Sequence, residues 1–206
     1  MTDLVLYTNP MSRGRIARWL MEEAGQPYDT VVLDYGTTMK APEYLAINPM
    51  GKVPALVHGD RVVTENAAIC AYMADAFPGA GLAPDPMDRA DYYRWLFFAA
   101  GPLEQAVTNA SVELDTSDPS LARRFGYGTL GTVLDTLDGF LDGRAYVCGD
   151  RFSAADVMLG MQLHWGMAFH GIPSRPSFTA YAARLASRPA FLRASELDDA
   201  LAAAGG

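Results

Sequence analysis

Lysine is almost missing from this chain. Only Lys40 and Lys52 occur among its 16 basic residues, so arginine carries nearly all the positive charge. Cysteine is scarce too. Cys70 and Cys148 stand far apart with no Cys-x-x-Cys spacing, which argues against a dithiol redox motif and against a structural zinc site. The three histidines, His58, His164 and His170, show no ligand spacing, and the last two, six apart, fall off one helical face; no metal is expected. No apolar run approaches the ~18 residues of a membrane span. The opening Met1-Thr2-Asp3-Leu4 has no basic region ahead of an apolar one, so a secretory signal is not expected and a cytoplasmic protein is. The formal net charge of −8 disfavours nucleic acid and anionic membranes as partners. No internal repeat or low-complexity tract is visible, although the last residues are rich in alanine.

What is present is a globular composition. The 206 residues are 50% hydrophobic and 19% charged, enough for a sizeable core and long enough for two domains. The stretch from Asn48 to Ile69 organises the rest: it reads as turn, strand, tight turn, strand, helix. Residues 55–58 and 61–64 are β-favouring runs joined by Gly59-Asp60, a hairpin signal. Pro54 opens the first run, where it removes a ladder donor and fixes φ. Glu65-Asn66 then opens a helix with apolar residues at Ile69, Tyr72, Met73 and Phe77. A helix start carries unpaired N–H groups and partial positive charge and can hold a carboxylate. Val53, beside Pro54, offers main-chain groups to an extended peptide in the manner of strand addition. The two lysines flank this turn. Two readings stay open for them: contacts to an anionic ligand, or a composition in which arginine has replaced lysine elsewhere.

The run Asn48-Pro49-Met50-Gly51-Lys52-Val53-Pro54-Ala55-Leu56, followed by Glu65-Asn66-Ala67-Ala68-Ile69, resembles the glutathione site of the glutathione transferase family. There a turn of the pattern Asn-Pro-x-Gly-Lys-Val-Pro-x-Leu, a cis proline and an acidic–polar pair at a helix start hold the tripeptide. The family usually has serine where Asn66 stands; asparagine also caps helices and donates a hydrogen bond. The resemblance implies a cis Val53–Pro54 bond, glutathione as co-substrate, and a glutathione site comprising Lys40, Lys52, Val53, Pro54, Glu65 and Asn66.

Taken in order, residues 4–8 read as a strand, a helix runs from Ser12 or Arg13 to about 24, and residues 28–33 read as a second strand. A short helix at 42–46, the hairpin, and a helix at 66–77 follow. The order β-α-β-α-β-β-α is a thioredoxin-like plan with a mixed sheet and a right-handed crossover. Every long segment after the Pro- and Gly-rich stretch is helical in pattern: 87–114 with a kink at Gly101-Pro102, 121–141, 157–169, 176–186 and 189–204. The fold class expected is therefore α/β plus all-α. Residues 1–78 form the glutathione-binding domain, 79–86 a linker, and 87–206 a helical domain contributing the electrophile pocket. Ser153 and Asp156 have the spacing of a capping box and read as structural; the same box opens the central helix in the family.

The chemistry implied by the resemblance is the making of a thiolate. A free thiol has a pKa near ~8.5, lowered by a helix N-terminus or nearby donors. Ser12 places a hydroxyl at the start of the first helix, as in the family's serine-type branch; it also reads as a plain N-cap. Tyr7, at the end of the first strand, is the alternative, as in the tyrosine-type branch, although strand alternation also reads it as core. Arg13 and Asn9 are further candidates. Cys70 and Cys148 read as buried small hydrophobes. Met11 and Tyr35 are expected in the electrophile pocket, with some of the aromatic residues of the 87–114 segment. The expected activity is conjugation of glutathione to small apolar electrophiles by a homodimer. The alternatives are a glutathione-dependent disulfide or peroxide reductase, and a non-catalytic binding module on the same fold.

Overall fold

A computed structural model describes residues 3–114, 116 and 118–204. Strand β1 (Leu4–Thr8) alternates buried and half-buried residues, so Leu4, Leu6 and Thr8 share one face and Val5 and Tyr7 the other. Helix α1 (Gly14–Ala24) crosses to β2 (Asp29–Val32) and stops at Gly25, whose φ of 63° provides the left-handed cap. A turn of 3₁₀ helix at Thr38–Lys40 and the short α2 (Pro42–Leu45) lead into the hairpin β3 (Ala55–His58) and β4 (Arg61–Thr64), then α3 (Asn66–Ala76). The sheet order is β2-β1-β3-β4, with β1 and β2 parallel and the other two pairs antiparallel. This is the expected thioredoxin-like arrangement. Leu6, Ile16, Leu20, Leu56 and Ile69 are fully buried and form its centre. Tyr7, Val53 and Ile47 pack against a second cluster of Leu33, Met39, Tyr44 and Ala55.

The contacts divide the chain into two compact units, one from the start to Leu82 together with everything from Ser187, the other from Ala83 to Ala186. The last helix, α10 (Pro189–Ala204), falls in the first unit. The cause is a set of side-chain ties between α1 and α10. Trp19 meets Phe191 edge-on with ring centres 5.1 Å apart. Arg188 forks onto both oxygens of Glu23 at 2.6 and 2.8 Å, and Arg193 reaches Glu22 at 2.7 Å. Beneath them Arg18 pairs with Asp198 at 3.2 Å, both almost fully buried, and donates also to Tyr28 and Thr30. Tyr28 in turn donates to Glu22; burial foremost, and this acceptor next, push its phenol up to about 12.

The second unit contains α4 (Ala90–Phe98), α5 (Glu104–Ser111), α6 (Pro119–Ala122), α7 (Leu130–Leu141), α8 (Ala154–Ala168) and α9 (Pro176–Ala186). Two expectations are corrected here. The segment 87–114 is not helical to its bounds: Pro86–Asp88 is a separate 3₁₀ turn and the helical run spans residues 90–111, with the kink expected at Gly101-Pro102 formed by a turn of π-helix at Ala99–Leu103. Proline has no N–H to give and its ring crowds the preceding turn, and the wider π turn accommodates both. Nor is 121–141 one helix. Gly128, at φ 73°, turns the chain, and Thr129 then starts α7 by accepting from the Thr132 N–H at 3.1 Å. Among the described residues no helix is long and apolar enough to cross a membrane.

Candidate active site

Three pieces of the first unit carry the residues singled out by sequence. The first is the turn before β3. Asn48 organises it: its Oδ1 accepts from Met50 N–H at 3.1 Å, and its Nδ2 donates to the Lys52 carbonyl at 2.7 Å. The Tyr44 hydroxyl donates to the same carbonyl. Lys40 Nζ donates to the Gly51 carbonyl at 2.7 Å, and Gly51 is favoured by its φ of 55°, with a Cβ there standing 3.0 Å from the Met39 carbonyl oxygen. Lys40 thus braces the turn, while the Lys52 side chain is exposed. The Val53–Pro54 bond is cis. Val53 packs its side chain against the Leu33 cluster, and among the described residues its N–H and C=O have no hydrogen-bond partner. An extended ligand backbone could pair with them.

The second piece is the start of α3. Glu65 occupies the N-cap with φ 69° and ψ 121°, a region that side chains other than glycine rarely adopt. Such strain is held where surrounding structure and function demand it. No side chain caps this helix. Its first helical bond is Ile69 N–H to the Glu65 carbonyl at 2.9 Å, so the N–H groups of Asn66, Ala67 and Ala68 come before it. They form a ready anion site, with the exposed Glu65 carboxylate beside it. Asn66 is buried and donates its Nδ2 to the Arg13 carbonyl at 3.2 Å.

The third piece is the turn into α1. Asn9 is buried and holds the turn, its Nδ2 donating to the Leu33 carbonyl at 2.7 Å and its Oδ1 accepting from Met11 N–H at 2.9 Å. Ser12 is half-buried; its Oγ accepts from Gly14 N–H at 2.9 Å and donates to the Asn9 carbonyl at 2.7 Å. Gly14 lies so close to the end of β1 that a Cβ there would meet Thr8 Oγ1 at 2.1 Å. Arg15 holds the loop from the side, with Nε on the Pro10 carbonyl at 2.5 Å and Nη2 on Asp199 of α10 at 2.7 Å. Met11 and Tyr35 lie together on the surface, the Tyr35 hydroxyl donating to the Met11 carbonyl at 3.4 Å.

Tyr7 points the other way. On the face of β1 opposite Thr8, it packs beside Tyr44 with ring centres 5.6 Å apart. Cys70 is fully buried, and burial pushes its thiol up; Cys148 is half-buried and burial raises it too, with Ser153 pulling it back. Both environments disfavour a thiolate. Ser153 and Asp156 form a capping box at the start of α8. The Asp156 carboxylate accepts from Ser153 N–H at 2.8 Å, Ser153 Oγ at 2.9 Å, Val147 N–H at 2.7 Å and Tyr181 OH at 2.7 Å. Burial pushes this carboxyl up, against the pull of those four donors. Among the described residues no group of His, Cys, Asp and Glu could hold a metal ion. The bracing residues Tyr44, Asn48, Gly14 and Arg15 were not singled out by sequence as site residues. Only Asn48, in an Asn-Pro turn, carried a local signal.

Comparison with known proteins agrees with this geometry. The model of the glutathione S-transferase N-terminal domain matches residues 11–76, and that of the C-terminal domain matches residues 104–184. The chain is 31% identical over 183 residues to glutathione S-transferase GST-4.5 of Xanthomonas campestris, covering 84% of this chain and 89% of that one. Its fold is similar to that of a glutathione transferase from Methylococcus capsulatus (TM-score 0.79, 28% identity, 95% and 98% of the two chains). It is also similar to a sphingomonad glutathione S-transferase solved in complex with glutathione (TM-score 0.77, 29% identity, 95% and 98%). With both halves of the chain matched and the uncapped α3 set beside the cis-proline turn, this protein belongs to the glutathione S-transferase family and is an enzyme of that class.

Proposed function

We propose that this transferase conjugates glutathione to small, mostly apolar electrophiles. The observation that carries the reading is the α3 start: an uncapped helix N-terminus behind a strained Glu65. In this reading the main chain of glutathione pairs with Val53, its γ-glutamyl carboxylate takes the N–H groups of α3, and its ammonium meets Glu65. The glutathione bound to the sphingomonad relative supports the choice of co-substrate. Lys40 and Lys52 add positive charge on either side of the turn. Met11 and Tyr35, both exposed, form the apolar wall that the electrophile meets.

Thiol activation falls to Ser12. Its Oγ already receives a hydrogen bond from Gly14, which polarises the O–H. Rotation about Cβ–Oγ moves the proton from the Asn9 carbonyl to the sulfur. One hydrogen bond is exchanged for another, so the gain sits at the low end of the ~1.5–3 kcal/mol of a bond to a charged group. The thiol proton leaves to solvent, a sulfur lone pair forms the bond to the electrophilic carbon, and the leaving group departs with its electron pair. Tyr7 is disfavoured by its direction. The buried Cys70 and the half-buried Cys148, both with thiols pushed up by burial, support conjugation over the disulfide-reductase alternative. A homodimer and a cytoplasmic setting belong to the same reading, on family grounds.

The test is product analysis with glutathione and an activated aryl halide. A thioether formed in proportion to enzyme is expected. Glutathione disulfide formed from a peroxide, with no thioether from any aryl halide, would overturn the proposal.

A further inference from the structure

The amide of Asn66 joins two helix starts that are 53 residues apart in sequence. Its Nδ2 donates to the carbonyl of Arg13, the residue just before α1. The same carbonyl accepts from Ile16 N–H at 3.1 Å, so both of its lone pairs are engaged and its position is fixed from two sides. Arg13 follows Ser12 directly. The bond is 9% exposed at the Asn66 end, where water competes poorly for it. A carbonyl can only accept, which fixes the orientation of the amide: Nδ2 faces Arg13 and Oδ1 faces away. That Oδ1 is buried and has no hydrogen-bond partner. A buried acceptor without a donor is costly, so this oxygen gains from any donor brought to the first position of α3.

We infer that Asn66 is a positioning residue that couples the amino-acid end of the ligand, at α3, to the thiol-activating turn at the start of α1. One arm of the amide takes a ligand N–H; the other holds the Arg13 carbonyl and with it the orientation of Ser12. A ligand that fills the first arm fixes the amide and so stiffens the second. Serine at this position carries its donor and its acceptor on a single atom one bond closer to the main chain, so it cannot reach in two directions as the amide does. The inference rests on the proposed glutathione site and adds to it a specific link between binding and activation. With their caps, α1 carries Arg13, Arg15, Arg18, Glu22 and Glu23 and α3 carries Glu65 and Asp75, while α10 brings Asp199 to Arg15 and Asp198 to Arg18; the substitutions below leave all of these in place.

The experiment measures the pKa of the bound thiol, by ultraviolet absorbance of the thiolate against pH, in the wild-type enzyme, Asn66→Ser, Ser12→Ala and the double variant. Asn66→Ser is expected to raise that pKa by about half a unit to one unit, a roughly three- to tenfold loss of thiolate at neutral pH. In the Ser12→Ala background the same change is expected to add almost nothing, because Asn66 acts through that turn. The isosteric Asn66→Asp, which cannot donate to Arg13 but adds a negative charge, serves if the serine variant does not fold; it is read with and without the Ser12 hydroxyl, because the part of its shift due to charge persists in both backgrounds. A wild-type enzyme whose bound thiol titrates as it does in free solution would remove the proposed function and this inference with it. A lowered wild-type pKa that Asn66→Ser and Asn66→Asp both leave in place removes the inference alone. So does a shift of equal size with and without the Ser12 hydroxyl.

Discussion

Helices α8 and α3 begin with the same need and meet it in opposite ways. At α8 the cap is Ser153, two alanines follow, and Asp156 at the third helical position closes the end. At α3 the cap is Glu65, Asn66 and Ala67 follow, and the third position is Ala68. Asp156 is fully buried with four donors on its carboxylate, whereas Glu65 and Ala68 are exposed and no side chain caps α3. Both ends present orphan N–H groups and partial positive charge. The difference teaches where an unmet helix end is tolerated: buried in a domain centre it is sealed from within, whereas the exposed end of α3 is, in the proposed function, left for the ligand.

Opening the sealed end should have the largest effect. Asp156→Ala orphans the Ser153 and Val147 N–H groups and the Tyr181 hydroxyl in a buried setting, and is expected to cost about 3–5 kcal/mol of stability. Chemical denaturation measures it; a loss below about 1 kcal/mol would mean that the box is incidental. At the open end, Glu65→Ala should weaken glutathione binding by about 2–3 kcal/mol, if the ammonium pair is largely desolvated, with little change in stability. Calorimetry checks this, and unchanged affinity would contradict the placing of the ligand. Smaller again is Ser12→Ala. Removing one donor from the thiolate should raise the bound-thiol pKa by roughly one unit and slow conjugation at neutral pH about tenfold. Tyr7→Phe should leave the pH–rate profile in place; a profile that moves with Tyr7 and not with Ser12 assigns activation to the tyrosine.

The open end was legible in the sequence and much of its support was not. The hairpin with its Gly59-Asp60 turn, Pro54 at the head of β3 and the apolar spacing of α3 are local signals, and the elements fall where those signals put them. The tie from Asn66 to Arg13 spans 53 residues, and the one from Arg18 to Asp198 spans 180. Nothing in the neighbourhood of either residue points to its partner, so ties of this range are not readable from local pattern. The break before α7 was readable in principle from Gly126 and Gly128, but the apolar stripe of 130–141 dominated the reading. Ser12 read as both cap and catalyst, and its two short bonds, from Gly14 and to Asn9, keep both roles in play.

The central claim is that α3 is left uncapped so that glutathione can cap it. Ala68→Asp places at α3 the acidic residue that closes α8, at the same helical position. Titration calorimetry of glutathione into the wild-type and Ala68→Asp proteins compares the two states directly. Affinity is expected to fall about tenfold or more as the new carboxylate competes for the helix N–H groups, while thermal stability is unchanged or raised. Wild-type affinity in a folded Ala68→Asp protein would contradict the claim.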